Sequence, residues 1–224
     1  MSSRDNKLWL QFWRDKRTDF HQKTVNHLLA RFWPGLNLVH GSRVFVPLCG
    51  KSLDMIWLAK QGHEVIGVEL SPVAVRAFFR ENRLQPSKRT MGCFTVWVCG
   101  KISILCGDFF SLTKSDLGVV EMVYDRAALT ALPEDIRKLY AAHLKLILPD
   151  TIDVLLLTAE DVEATDVQNP DLSVDEEINS LFSDDFNIDL THVESLVENC
   201  SALPGQLLES TTYKVYRLSS RVDI

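Results

Sequence analysis

Four short apolar runs, the first three each followed by a segment with helical character, constrain this chain more than any other feature. They are Arg43-Val-Phe-Val-Pro47, residues 64–70 (EVIGVEL), residues 118–125 (GVVEMVYD) and residues 150–158 (DTIDVLLLT). Runs this short and this rich in Val, Ile and Leu read as strands buried on both faces. Between them, residues 53–61 read as a helix closed by Gly62. Ser71 and Pro72 supply an N-cap and an N1 residue for a helix running to about Asn82, and residues 133–148 form a third helix. Strands alternating with helices specify an α/β layer structure with a mainly parallel sheet. Such a sheet binds ligands beyond the carboxyl ends of its strands, so the residues following each strand are the ones to inspect.

The remaining segments fit around that frame. Residues 7–15 and 24–33 read as helices, the second ended by Pro34 and Gly35. Residues 93–105 read as a hairpin turning at Gly100 and Lys101. A polar, acidic stretch at 159–173 reads as a loop or lid, residues 174–182 as a helix, and residues 187–197 and 211–218 as the last strands, the latter with antiparallel alternation. A chain of 224 residues with 46% apolar and 24% charged residues suits one domain with a sizeable core. We expect residues 1–40 to form a helical cap and residues 41–224 the α/β core. The net charge of −6 argues against nucleic-acid or anionic-membrane partners. Cys49, Cys93, Cys99, Cys106 and Cys200 are odd in number and lack a CxxC pair, so reduced thiols are expected rather than disulfides or a metal site. There is no secretory h-region and no membrane-length apolar run, so the expectation is a cytoplasmic protein, with a monomer as the default.

At the strand ends, each chemical reading has a plainer structural one beside it. The first apolar run leads into Leu48, Cys49, Gly50, Lys51 and Ser52, and the second ends at Glu69, 19 residues beyond Gly50. A glycine lets a ligand approach the backbone, and a carboxylate at that distance can accept both hydroxyl hydrogens of a ribose. One glycine and one glutamate after apolar strands also arise by chance. A phosphate-binding GxxxxGK[ST] loop is weak here, because Phe45 occupies the first glycine position inside a strand, and a GxGxxG dinucleotide fingerprint lacks two of its glycines. Asp108 and Phe109 could bond and stack an adenine, or be an N-cap followed by core aromatics. Asp125 and Arg126 leave a strand for a loop, where either function or an ion pair is natural. Trp9 and Trp13, four apart on one helical face, with Phe20 and His21 behind them, form a packing stripe or an aromatic lid suited to a sulfonium.

Together these strings resemble the thiopurine methyltransferase family of class I S-adenosylmethionine-dependent methyltransferases, in its bacterial form. The resemblance runs from Trp9-x-x-x-Trp13 and Phe20-His21 through PLCGKSLDMIWLA (47–59), GVELSPVAVRAFF (67–79), GDFF (107–110) and YDRAALTALP (124–133). It implies a Rossmann-like sheet of seven strands, mostly parallel with the last antiparallel, helices on both faces, and an N-terminal helical lid. It implies S-adenosyl-L-methionine as methyl donor and S-adenosyl-L-homocysteine as product, with no metal. By matching position, Leu48 and Gly50 would line the cofactor loop, Glu69 would hold the ribose, and Asp108 and Phe109 would contact the adenine. Trp9 and Trp13 would close the site, and Arg126 would lie beside the cofactor and the acceptor. Arg126 would favour an anionic acceptor, and Asp125 or Asp19 would orient that acceptor or take its proton. The last third departs from the family: Asn169-Pro-Asp-Leu-Ser-Val174 replaces a Gly-Pro-Pro-Phe type of loop. The implied reaction is S-methylation of an aromatic or heterocyclic thiol. The alternatives are methylation of selenium or tellurium species or of thiocyanate or halide and, from another class, a cofactor-binding protein without turnover.

Overall fold

The computed structural model describes residues 3–18, 20–162, 173–197 and 210–221. The chain divides into two compact units, the first comprising residues up to Tyr124 with Leu146–Pro149, the second Asp125–Lys145 and the residues from Asp150 onward.

In the first unit, α1 (Ser3–Arg14) and α2 (His27–Phe32) precede β1 (Arg43–Val46), α3 (Asp54–Lys60), β2 (Glu64–Glu69) and α4 (Pro72–Glu81). Then come β3 (Ser87–Met91), β4 (Phe94–Cys99), β5 (Ile102–Cys106), the short α5 (Lys114–Leu117) and β6 (Met122–Arg126), whose last two residues belong to the second unit. The strands lie in the order β3-β4-β5-β2-β1-β6. β1 pairs in parallel with β2 and β6, β2 in parallel with β5, and β3, β4 and β5 form an antiparallel extension. Val44, Phe45, Val65, Val68, Ile104, Met122 and Val123 are buried, as runs covered on both faces require.

Local signals explain the boundaries. Asn26 caps α2 by accepting from Leu28 N and Leu29 N, and Ser71 caps α4 by accepting from Ala74 N, with Pro72 in its first turn. Gly62 closes the turn after α3 at φ +100°, a conformation that strains any L side chain, and an added Cβ would lie 2.0 Å from the exposed His40 ring and displace it.

In the second unit, Asp125 and Arg126 lead into α6 (Glu134–Ile147), followed by β7 (Asp153–Val162), α7 (Val174–Phe182), β8 (Phe186–Val197) and β9 (Ser210–Ser220). β9 pairs antiparallel with both β7 and β8, and the β8 register slips between Leu190 and His192. A Ser173/Glu176 capping box starts α7, and Arg137 ties α6 to it through Glu177 at 2.7 Å.

The α/β class and the antiparallel last strand are as expected. The strand count is nine among the described residues, not seven. The added β3 reads SKRTM and is exposed almost throughout, so it carries no apolar periodicity to announce it. Residues 163–172 of the expected lid, and Cys200, lie outside the described residues. Cys49, Cys93, Cys99 and Cys106 are free thiols. Among the described residues, no helix is long and apolar enough to cross a membrane and no group of three or more His, Cys, Asp or Glu side chains could hold a metal.

Candidate active site

The loop after β1 turns back on itself through two left-handed residues, Leu48 at φ +44° and Gly50 at φ +53°. Cys49 N donates to Val68 O at 2.9 Å and fixes the loop to the end of β2. This directs the Gly50 N–H at Glu69, whose Oε2 accepts it at 2.9 Å while Oε1 accepts from Ser71 N at 2.6 Å. Glu69 is only 6% exposed. Burial pushes its carboxyl up to about 7, and the Ser71 and Gly50 amides pull the other way. The surrounding thiols are held neutral: burial and then Glu69 raise Cys49, and the same two causes, opposed by Arg76, push Cys106 up to about 11. Of these three groups, Glu69 is the one whose burial brings it into the neutral range.

A lid of aromatic rings covers the loop. Trp13 is 6% exposed, and a Cβ added to Gly50 would sit 3.1 Å from its Cζ2, so the indole lies directly over the glycine. Phe20 packs edge-on against both Trp13 (5.4 Å between centroids) and Trp9 (5.6 Å), joining the three rings into one cluster.

One strand further, Glu69 registers with Cys106, and Gly107 N donates to Glu69 O at 3.0 Å, which brings Asp108 beside the same strand end. Asp108 divides its carboxylate: Oδ1 accepts from Phe110 N at 3.0 Å, and Oδ2 accepts from Asn6 Nδ2 at 3.0 Å. The N-cap reading is thus met by one oxygen, and the other faces α1. Phe109 is buried, and its ring packs edge-on against Phe110.

In the second unit, Asp125 is 1% exposed and both its oxygens are bonded. Oδ1 accepts from Ala128 N at 2.9 Å and Leu129 N at 3.4 Å, and Oδ2 accepts from the Tyr140 hydroxyl at 2.6 Å. Burial raises its carboxyl to about 6 against the opposing pull of these donors and of Arg126. Ala127, at φ +56°, donates its N–H to Leu157 O at 2.7 Å, so the turn that carries Arg126 is braced on both sides. Arg126 itself is half-buried.

The structure therefore assembles Trp9, Trp13, Leu48, Gly50, Glu69, Asp108 and Phe109 within the first unit, and places Asp125 and Arg126 at the start of the second. Asp19 lies outside the described residues. Two residues escaped the sequence reading. Asp54, 1% exposed, accepts from the Tyr124 hydroxyl (2.9 Å) and Asn26 N (2.8 Å), pinning the end of β6 to α3 and to the cap of α2. Asn6 reaches Asp108; its place one turn before Trp9 on the same helical face was the available signal. Lys51 of the Gly50-Lys51-Ser52 string pairs with Glu81 at 2.8 Å.

Comparison with known proteins bears on the family and the fold. The family model for thiopurine S-methyltransferase matches residues 4–221. A thiopurine S-methyltransferase of Stutzerimonas stutzeri is 61% identical over 198 residues, covering 88% of this chain and 84% of that protein. One from Methylococcus capsulatus is 42% identical over 221 residues, covering 98% and 99%. Among solved structures, an S-adenosylmethionine-dependent methyltransferase from Anabaena variabilis aligns with a TM-score of 0.63 at 15% identity, over 96% of this chain and 95% of that one. A TehB-like methyltransferase from Corynebacterium glutamicum aligns with a TM-score of 0.55 at 13% identity, over 97% and 98%. At such identities the structural likeness concerns the fold.

Proposed function

Because the chain belongs to the thiopurine S-methyltransferase family, whose members are methyltransferases that use S-adenosylmethionine, we propose that it methylates the sulfur of aromatic or heterocyclic thiols. The observation that carries the cofactor half of this reading is the Glu69 carboxylate, buried and aimed by the Gly50 and Ser71 amides at the carboxyl end of β2. Its chemistry fits the donor: a buried carboxylate with lone pairs to spare suits two ribose hydroxyls, and Asp108 with the unsatisfied Oδ1 of Asn6 suits a ring amine. The name carried by the relatives supports the acceptor half. We read residues 1–224 as one methyltransferase domain with residues 1–40 as its cap, which the family match over residues 4–221 supports.

When bound, S-adenosylmethionine supplies an electrophilic methyl group on a sulfonium. Glu69 would hold the ribose, Leu48 and Gly50 would line the cofactor loop, and Asp108 and Phe109 would lie along the adenine. Trp9, Trp13 and Phe20 would exclude water and offer aromatic faces to the sulfonium. A thiolate is already a strong nucleophile, so alignment provides much of the acceleration. Arg126 would favour the anionic form of the acceptor. Asp125, with both oxygens committed to Ala128, Leu129 and Tyr140, would hold the Arg126 turn in place.

The test is release of S-adenosylhomocysteine from purified protein given S-adenosylmethionine and 6-mercaptopurine. Purine-dependent release supports the reading. Cofactor binding without release moves the acceptor to selenium, tellurium, thiocyanate or halide species, and loss of both refutes a methyl-transfer role.

A further inference from the structure

We propose that Asn6 is a specificity-determining residue of the cofactor site, forming with Asp108 a two-acceptor reader for the exocyclic amine of the adenine. The proposal rests on the reading of Asp108 as the adenine contact and extends it to a residue outside every motif noted in the sequence.

Asn6 lies on α1, 102 residues away from Asp108, and its Nδ2 donates to Asp108 Oδ2 at 3.0 Å. A carboxylate can only accept, so this bond fixes which end of the amide is nitrogen and leaves Oδ1 as the other end. Oδ1 is fully shielded and has no hydrogen-bond partner among the described residues. A buried acceptor without a donor is costly, and it is tolerated where a ligand completes it. Oδ1 shares one carbon with the nitrogen bonded to Asp108, so the unsatisfied oxygen stands next to the carboxylate. Asp108 Oδ2 also retains a lone pair, because the Phe110 amide is taken up by Oδ1 of that carboxylate. The pair thus offers two adjacent acceptors, bridged by the Asn6 N–H. A primary amine on an aromatic ring, planar with two N–H donors, satisfies both. A ring carbonyl at the same position satisfies neither, and it would set lone pairs against both oxygens.

Asn6 shares α1 with the aromatic lid. It precedes Trp9 and Trp13 on α1, and Trp13 is seated over Gly50. Closing the lid and presenting Oδ1 are consequences of the same helix position.

The experiment is calorimetric titration of the full chain with S-adenosylhomocysteine and with its deaminated counterpart, S-inosylhomocysteine, for the wild type, Asn6→Ala and Asp108→Ala. The wild type should prefer the amine by about 100-fold or more, since a site built around a donor rejects the analogue lacking it. Asn6→Ala should weaken the adenosyl ligand about five- to tenfold, as expected for one hydrogen bond to a buried acceptor, and leave the inosyl ligand unchanged or tighter. The ratio between ligands is internal to each variant, so a general loss of stability does not imitate it. Equal weakening of both ligands in Asn6→Ala, or no weakening, with discrimination abolished in Asp108→Ala, overturns the role of Asn6 and leaves the Asp108 reading standing. Discrimination intact in Asp108→Ala removes the Asp108 reading itself.

Discussion

Protonation of Glu69 should control how tightly the cofactor binds. Its carboxyl is raised to about 7 by burial, against an ordinary value of 4.5, and its two oxygens already accept the Gly50 and Ser71 amides. Ribose hydroxyls can donate to it fully only when it is ionised. Binding therefore draws the group toward its charged form and must expel a proton below its ligand-free value. The apparent Kd should then scale with one plus the ratio of protonated to ionised protein. That factor is about 1.1 at pH 8, about 2 at pH 7 and about 11 at pH 6, a tenfold weakening worth about 1.4 kcal/mol. The assay is calorimetric titration with S-adenosylhomocysteine at these three pH values in buffers of differing ionisation enthalpy, so that proton release is counted as well. Glu69→Gln should bind more weakly throughout, by about 30-fold or more for the loss of charge-assisted bonds to two hydroxyls, and its profile should be flat. Asp125, raised to about 6, also titrates near this window, and the variant separates the two because it retains Asp125. A wild-type Kd unchanged between pH 8 and 6 would refute the reasoning.

Tyr140→Phe removes the 2.6 Å donor to the buried Asp125 carboxylate and should cost about 1.5–3 kcal/mol in urea unfolding at pH 8. Because burial raises the folded value of Asp125 to about 6, the group's favourable contribution is complete below its ordinary value and is lost as pH rises through about 6. The penalty of the variant should accordingly shrink toward about 1 kcal/mol at pH 5, where the neutral acid needs the hydroxyl less, and a penalty independent of pH would count against this account. Gly50→Ala must hold φ +53° and crowd Trp13 at 3.1 Å, so we expect a loss of about 1–2 kcal/mol in urea unfolding together with weaker S-adenosylhomocysteine binding; unchanged values for both would show that the lid does not rest on Gly50. Arg126→Ala should lower turnover with 6-mercaptopurine by about 100-fold while the S-adenosylhomocysteine Kd stays within about threefold, and equal losses in both would remove Arg126 from acceptor recognition.

Features that rest on local chemistry were legible in the residues alone. Apolar runs at 43–47, 64–70, 118–125 and 150–158 all became strands, because residues covered on both faces must be apolar along their whole length. The Ser71-Pro72 start of α4 and the turn at Gly62 were equally readable, since each depends on neighbours in the chain. The 19-residue spacing from Gly50 to Glu69 was visible too, but that the two meet follows from the pairing of β1 with β2. β3 was not readable, because an exposed strand of polar residues has no hydrophobic period. Asp125 shows the limit most plainly. Next to Arg126 it reads as half of an ion pair, yet its carboxylate is completed by Tyr140, 15 residues on, and by two backbone amides of the turn. Packing of the folded chain sets the placement of Trp13 over Gly50, the Asp54–Tyr124 bond across 70 residues and the Asn6–Asp108 bond across 102. It also buries the Glu69 carboxyl, which pushes it up to about 7. Sequence spacing carries no trace of these, because a hydrogen bond between distant segments follows from how the sheet orders its strands. A raised carboxyl pKa likewise follows from what covers the group, and covering is a property of the packed chain.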